Sequence, residues 1–443
     1  KMSDIALLYP HTYQHSRHTM PFHPLGIAHL SAVLRQAGMD VIVRDLTFEE
    51  IDGCIPDLVI RQPRIIGIYI MLTMVGNALM LARKIRQDIP DAVLVCGGPL
   101  PTVRPESFDR DFDIVFRGEA ARSFPLFCSD CLASASLREV LRRHHRYPGL
   151  HAVDPGSGML LRTPAQAIDE EGMDSLPIPD RSDFPHSRYQ KAWEDREGFS
   201  PACIMTTYGC PHTCEFCSKP IFGRYFRRRS MDRIMEEIRS IRSFGYDGLW
   251  IGDDCFTLDP GHVRAFCRRM IRENPGMRWT CLSRSDGITP EDAALMREAG
   301  CKKVFFGLES GSNDVLKLMN KNTTVESAER TLDLFSRCGI ETAGFFMVGY
   351  PGESRETIET TLRWSLTLPL DEISFTIPFP LPDTELAKRI SGLQADADWR
   401  YESENRLVYE SDFDQEYLHK RIEETYALFT AGKKPGITSR SSP

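Results

Sequence analysis

The stretch Thr206–Cys217, TTYGCPHTCEFC, constrains this chain more than any other. It sets Cys210, Cys214 and Cys217 at C-x3-C-x2-C spacing. Thiolates are the soft ligands that iron–sulfur clusters require. A four-iron cubane usually takes four thiolates. This loop offers three and no fourth cysteine follows closely, so one iron stays open to an exogenous ligand. Gly209 and Pro211 let the backbone wrap closely around a bulky inorganic core. Two plainer readings compete. Cysteine is a common buried hydrophobe, and this chain has 13. Zinc also takes thiolates, but structural zinc sites favour two ligand pairs, and no second pair fits. Context favours the cluster: Cys203 to Thr207 reads as a β-branched apolar strand, so the cysteines follow the carboxyl end of a strand, where α/β folds place their chemistry.

From Cys203 the pattern repeats strand then helix. Strands are expected over 203–207, 247–252, 278–283, 303–308, 342–348 and 372–377. Helices are expected over 230–243, 260–273, 290–298, 313–318, 324–337 and 354–367. Six such units over 199–384 predict a partial, TIM-like (β/α)6 barrel with its site at the C-terminal mouth. Each strand ends on informative residues. Asp253 and Asp254 follow the second strand, where one of them could instead cap a helix. Arg284 and Asp286 follow the third; a guanidinium suits a carboxylate ligand. Glu309 ends the fourth; its carboxylate suits a pair of hydroxyls, or else pairs with Arg284. Gly349 and Gly352 follow the fifth, where glycine permits close backbone approach. Cys255, Cys281, Cys301 and Cys338 have apolar neighbours and read as buried structural residues.

Residues 1–130 also alternate: strands at 4–9, 40–46, 65–72, 92–98 and 113–119, helices at 25–38 and 76–87, and a short one from Pro105. This predicts a doubly wound, Rossmann-like parallel sheet, with ligands beyond the carboxyl ends of its strands. Three of those ends carry loop residues: a histidine-rich loop holding His11, His15, His18 and His23; Gly97–Gly98–Pro99; and Gly118–Glu119. The glycine pair alone is a weak signal, since it could simply end a strand. No G-x-G-x-x-G or Walker pattern is present, which disfavours dinucleotides and nucleoside triphosphates. Residues 131–198 read as a connector with a hairpin at DPGSG and an acidic, proline-containing strap. Residues 385–443 read as a helical cap followed by a disordered tail.

Composition excludes several classes. Hydrophobic residues make up 42% and charged residues 26%, as in an ordinary globular protein, and the net charge is −8. Nothing suggests a nucleic-acid footprint. The basic run RYFRRR, 224–229, reads as a solvated or salt-bridged approach to a helix, with contact to an anionic substrate as the alternative. No apolar run is long enough for a membrane span. The first residues lack a secretory pattern, so 13 cysteines are expected in a reducing cytoplasm.

On the triad, and with Phe216 between its second and third cysteines, the chain resembles the radical S-adenosylmethionine (SAM) superfamily. The resemblance implies that the open iron is chelated by SAM and that Asp253 and Asp254 (in D-D-x-F), Arg284, Glu309 and Gly349 lie around that ligand. The loop IPFPLPDTEL departs from the family's P-x-P-G-T at Leu381–Pro382–Asp383. Ahead of it, PLGIAHLSAVLRQAG, the strand ending near Thr73, CGGPLPT and VFRGE resemble the cobalamin-binding domain of cobalamin-dependent radical SAM enzymes. The resemblance covers about residues 4–128 and places Thr73, Gly97, Gly98, Gly118 and Glu119 at the corrin. The D-x-H-x-x-G element is absent, which implies cobalamin bound without that histidine.

Three cofactors follow from the resemblance: a [4Fe-4S] cluster, SAM and cobalamin. It implies a 5′-deoxyadenosyl radical that removes hydrogen from an unactivated carbon of a small-molecule substrate held between the two domains. A corrin-borne methyl group would then be transferred to that carbon. An external one-electron reductant such as flavodoxin or ferredoxin would supply the electron. Methyl transfer is the first expectation; cyclisation, oxidation and ring rearrangement are the alternatives within the fold. From a different class, a non-catalytic iron–sulfur sensor would need a fourth protein ligand. A thiolation enzyme would need a second cysteine triad, which Cys54, Cys96, Cys128 and Cys131 do not form.

Overall fold

Strands buried on both faces must be apolar throughout, and Ile5–Tyr9 (β1) is buried along its whole length. The computed structural model describes residues 4–13, 20–165, 167–217, 224–381, 384–390 and 407–432. These divide into two compact units, one running to Trp193 and the other starting at Glu194.

In the first unit β1 is joined by Val41–Asp45 (β2), Ile65–Tyr69 (β3), Val93–Gly97 (β4), Ile114–Phe116 (β5), Leu150–Val153 (β6) and Leu160–Arg162 (β7). The sheet order is β2-β1-β3-β4-β5-β6-β7. The first five strands are parallel and the last two pair antiparallel. The order reverses between β1 and β3, which makes the crevice at their carboxyl ends the natural ligand position. Helices cover both faces. Ile27, Leu34, Phe124 and Phe127 pack on one side; Leu58, Leu81 and Ile85 pack on the other. Each fully buried aliphatic side chain contributes about 1.5–3 kcal/mol relative to exposure.

The segment expected to be a connector, 131–198, is largely part of this unit. Its hairpin supplies β6 and β7 to the sheet. Its strap and the helix His186–Glu197 are tied down by long-range contacts: Arg35 pairs with Asp180 and Asp183, and Trp193 Nε1 donates to Pro21 O at 2.8 Å. Local pattern does not report such pairings. Helices Ile55–Arg61 and Ser123–Ala133 were not expected either. The second is apolar on nearly every side and so has little periodicity to detect.

The second unit holds Pro201–Ile204 (β8), the short antiparallel pair Thr207–Tyr208 (β9) and Arg227–Arg228 (β10), then Gly248–Ile251 (β11), Arg278–Ser283 (β12), Cys301–Glu309 (β13), Glu341–Met347 (β14) and Glu372–Thr376 (β15). Six of these form one parallel sheet in the order β8-β11-β12-β13-β14-β15, each beside its predecessor. The intervening helices begin where the sequence predicts, because the side chains of Ser230, Asp259, Thr289, Thr324 and Ser354 accept backbone N–H bonds at their N-termini. Strand residues alternate. Leu249, Ile251, Val304, Phe306 and Phe346 join the core under the helices, while Trp250, Phe305 and Phe345 form a ladder of ring contacts on the other face. At the N-terminal end of β13, Lys303 is buried against Glu197 and Glu372, at 2.9 and 3.2 Å.

A five-residue helix, Glu385–Arg389, and a long one, Gln415–Gly432, follow the barrel. The tail from Lys433 lies outside the described residues. Among the described residues no helix is long and apolar enough to cross a membrane.

Candidate active site

The cysteine loop leaves β8 at the carboxyl end of the barrel sheet. Cys210 is buried, while Cys214 and Cys217 are half-buried. Its take-off is held from beneath by Asp253. The Thr206 N–H and hydroxyl donate to the two carboxylate oxygens at 2.6 and 2.5 Å, and the Thr207 hydroxyl donates at 2.8 Å. Asp253 is fully buried, and burial pushes its pKa up to about 6. This carboxylate, expected to face a ligand, is committed to the loop. Asp254 beside it is exposed. Neither caps a helix; Asp259 does.

Farther along, two segments brace the loop. Asn320 Nδ2 donates to Thr213 O and Oγ1, both at 2.9 Å, and Glu215 N–H donates to Met319 O at 3.0 Å. Glu215 also accepts from Tyr350 Oη at 3.1 Å and pairs with Arg389 at 3.0 Å. The Phe216 ring stands edge-on to Tyr350, 6.5 Å between centroids.

Arg284 is buried, and most of its fork is occupied. Asp286 takes Nε and Nη2 at 3.0 and 2.9 Å, and the Lys321 carbonyl accepts from Nη2 at 2.7 Å. The remaining nitrogen, Nη1, lies 4.0 Å from Cys214 Sγ. Glu309 does not pair with Arg284. It pairs with Lys321 at 2.8 Å, a residue the sequence reading did not single out. Glu309 has a φ of +64°, left-handed backbone that a non-glycine residue adopts only under constraint, and it follows a register shift after Gly307. Gly349 has a φ of +82°, and a Cβ there would sit 2.8 Å from Leu418 Cδ1. Its missing side chain is thus accounted for by the C-terminal helix. Cys255 is buried, which pushes its thiol up to about 11. Pro382 and Asp383 lie outside the described residues.

In the first unit, the loops after β3, β4 and β5 are stitched along one edge. Ile70 N–H donates to Gly97 O at 2.8 Å, Thr102 Oγ1 donates to Gly98 O at 2.8 Å, and Gly118 N–H donates to Thr102 Oγ1 at 3.0 Å. This gathers Gly97, Gly98, Gly118 and Glu119, with Thr73 exposed on the turn after β3. Gly98 has a φ of +116°, and a Cβ there would meet Ile70 O at 2.6 Å, so the protein's own backbone takes the room it leaves. Glu119 accepts from Ile168 N–H of the strap at 2.6 Å. His23 is buried against Phe184 and Tyr189, and His11 lies beside Tyr9. His15 and His18 lie outside the described residues.

The donor set fits an iron–sulfur cluster: three thiols on one loop, with cationic groups beside them to offset the charge of thiolate ligands. Among the described residues no three His, Cys, Asp or Glu side chains already stand in metal-holding geometry. The triad is gathered on one loop, not closed around a centre. The first unit's edge presents backbone at the carboxyl ends of β3, β4 and β5, the position where doubly wound sheets take their ligands.

Comparison with known proteins gives the same division. Residues 204–365 match the Radical SAM superfamily, and residues 18–127 match the B12 binding domain. An uncharacterized methyltransferase of Pyrococcus horikoshii is 27% identical over 418 residues, 92% of this chain and 87% of that protein. The anaerobic magnesium-protoporphyrin IX monomethyl ester cyclase of Rubrivivax gelatinosus is 24% identical over 423 residues, 93% of this chain and 74% of that one. Among solved structures, the radical SAM methyltransferase TsrM from Kitasatospora setae, with cobalamin and a [4Fe-4S] cluster bound, has a TM-score of 0.78 at 20% identity. The likeness covers 98% of this chain and 92% of that one.

Proposed function

Because this chain is an enzyme that joins a B12-binding domain to a radical SAM domain, we propose that it moves a methyl group from SAM, by way of cobalamin, to an unactivated carbon of a small-molecule substrate. The observation that carries the reading is the braced three-cysteine loop at the carboxyl end of β8, in a chain whose other unit presents a glycine-lined sheet edge. When bound, these cofactors supply reductive cleavage of SAM and a transferable methyl group. The chain's own residues bind and orient. Cys210, Cys214 and Cys217 would hold the cluster, three thiolates from one loop. Asp253, through Thr206 and Thr207, sets the height of the loop. Arg284 Nη1 and the Phe216 ring lie beside the triad; Asp254 follows β11, Glu309 ends β13 and Gly349 follows β14. Thr73, Gly97, Gly98, Gly118 and Glu119 form the edge for the corrin. No residue need act as a general base. An external one-electron reductant such as flavodoxin or ferredoxin is required, and the cytoplasm is the compartment that keeps the triad reduced.

Cyclisation is the second reading, favoured by the likeness to the Rubrivivax cyclase along 93% of this chain. One experiment separates the two. The full chain is reconstituted anaerobically with iron, sulfide and hydroxocobalamin, desalted, and its absorbance recorded. It is then screened against candidate small molecules with SAM labelled in its methyl group. Corrin bands retained beside an iron–sulfur shoulder, with label in the product, are expected. Unlabelled, dehydrogenated product would favour cyclisation. An iron–sulfur shoulder without corrin would end the cobalamin half of the proposal.

A further inference from the structure

The segment Met319–Asn322 does more than end a helix. Asn320 and Asn322 both have left-handed backbone, φ +50° and +52°, and between them Lys321 is turned inward to 7% exposure. A lysine is seldom buried so far without a partner. Here Nζ lies 2.8 Å from Glu309 Oε1 and 5.8 Å from the centre of the Phe216 ring. The segment grips the cysteine loop on both sides of Cys214, through the Asn320 side-chain amide to Thr213 and through Met319 O, which accepts from Glu215 N–H. Its carbonyl at Lys321 also accepts from Arg284 Nη2, whose other terminal nitrogen, Nη1, donates to Cys214 Sγ at 4.0 Å. Gly307 makes room for the ion pair. A Cβ there would stand 2.6 Å from Glu309 Oε1 and 2.8 Å from Lys321 Nζ. Four separate features thus converge on one buried cation: two left-handed asparagines, a left-handed glutamate, a glycine and a gripped loop.

We propose that Lys321 is a positioning residue for the three-cysteine loop, and that its charge, paired to Glu309 and set beside Cys214 and Phe216, raises the reduction potential of the cluster the loop holds. The inference rests on the cluster reading above. A thiolate-ligated cluster gains a negative charge when reduced, so a fixed cation in a low-dielectric site favours the reduced form. Removing Lys321 alone leaves the Glu309 carboxylate buried and unpaired by it, which opposes reduction twice over.

The test uses the full chain reconstituted with iron and sulfide alone, so that only the cluster titrates. Its reduction is followed by electron paramagnetic resonance against potential, and iron is counted in each sample. Lys321→Met is expected to move the midpoint to more negative potential by at least a tenfold change in the oxidised-to-reduced ratio, about 59 mV for one electron. Lys321→Arg should stay near the unsubstituted protein. Lys321→Met with Glu309→Gln should recover most of the shift, because both charges leave together. An unchanged midpoint in Lys321→Met at full iron content would overturn the proposal. So would failure of the double variant to recover the shift, since a role in packing alone would not be rescued by removing the acid. Where Lys321→Met takes up too little iron to titrate, Glu309→Gln reads the same charge: a shift to more positive potential is expected, and none would overturn it. An unsubstituted protein that takes up no reducible cluster would remove the underlying reading, an outcome distinct from every variant-specific one.

Discussion

A buried acid and a strained glycine show what single residues contribute here. Asp253 reads in the sequence as a ligand-facing carboxylate at a strand end. In the fold, Thr206 and Thr207 spend three hydrogen bonds on it. Gly98 reads as room for a cofactor, yet the space is claimed by Ile70. A Gly98→Ala substitution would place a methyl 2.6 Å from a backbone carbonyl, at a φ of +116° that L-residues avoid. It is expected to cost about 1–3 kcal/mol. A thermal melt of the variant should show a lower Tm than the unsubstituted chain; an equal Tm would show that the loop after β4 yields freely. The cysteines themselves needed no fold to be noticed, because their spacing is local. Lys321 and Glu309 are 12 positions apart, and neither has a neighbour in sequence that announces the other.

At the scale of elements, the barrel was readable nearly strand by strand, since each βα unit carries its own apolar run, its own cap and its own turn. The helix Ser123–Ala133 exposes Leu126 and Ala133 while burying Phe124, Phe127 and Cys128, so it has no clean polar stripe and escaped detection. So did the attachment of the helix His186–Glu197. Its Tyr189 hydroxyl donates to Asp45 Oδ2 at 2.7 Å at the end of β2, beside Thr47 Oγ1. Asp45 keeps its bonds from the Thr47 N–H and hydroxyl at 3.1 and 2.6 Å. Tyr189→Phe therefore removes one bond to a buried acid without orphaning it, and a loss of about 1–3 kcal/mol is expected. Urea unfolding should show a lower midpoint with an unchanged slope. A midpoint equal to that of the parent would mean that the hydroxyl contributes nothing to docking the helix.

For the whole molecule, pH reports on acids that burial holds protonated. Glu353 is 5% exposed, and burial pushes its pKa up to about 7, against hydrogen bonds that include the Tyr350 N–H at 2.8 Å. The folded chain then binds this proton more tightly than the unfolded one. Its contribution is fully present below the ordinary glutamate range and is lost as pH rises through about 7. A shift of this size corresponds to at most about 3 kcal/mol. Glu353→Gln should flatten the fall in stability between about pH 5 and about pH 8, measured by denaturant unfolding at each pH. Asp253, raised in the same direction, keeps a residual slope at the lower end. Equal slopes in variant and parent would show that Glu353 is ionised in the fold. By itself the sequence determined the three-cysteine loop, the alternation of strands and helices, and the helix caps, because each depends on spacing within a few residues. Only the tertiary structure decided which charge meets which: Asp253 with the threonines, Glu309 with Lys321, Glu119 with the strap. Those pairings depend on which strand ends and loops the packing brings within hydrogen-bond reach, and no local pattern encodes that distance.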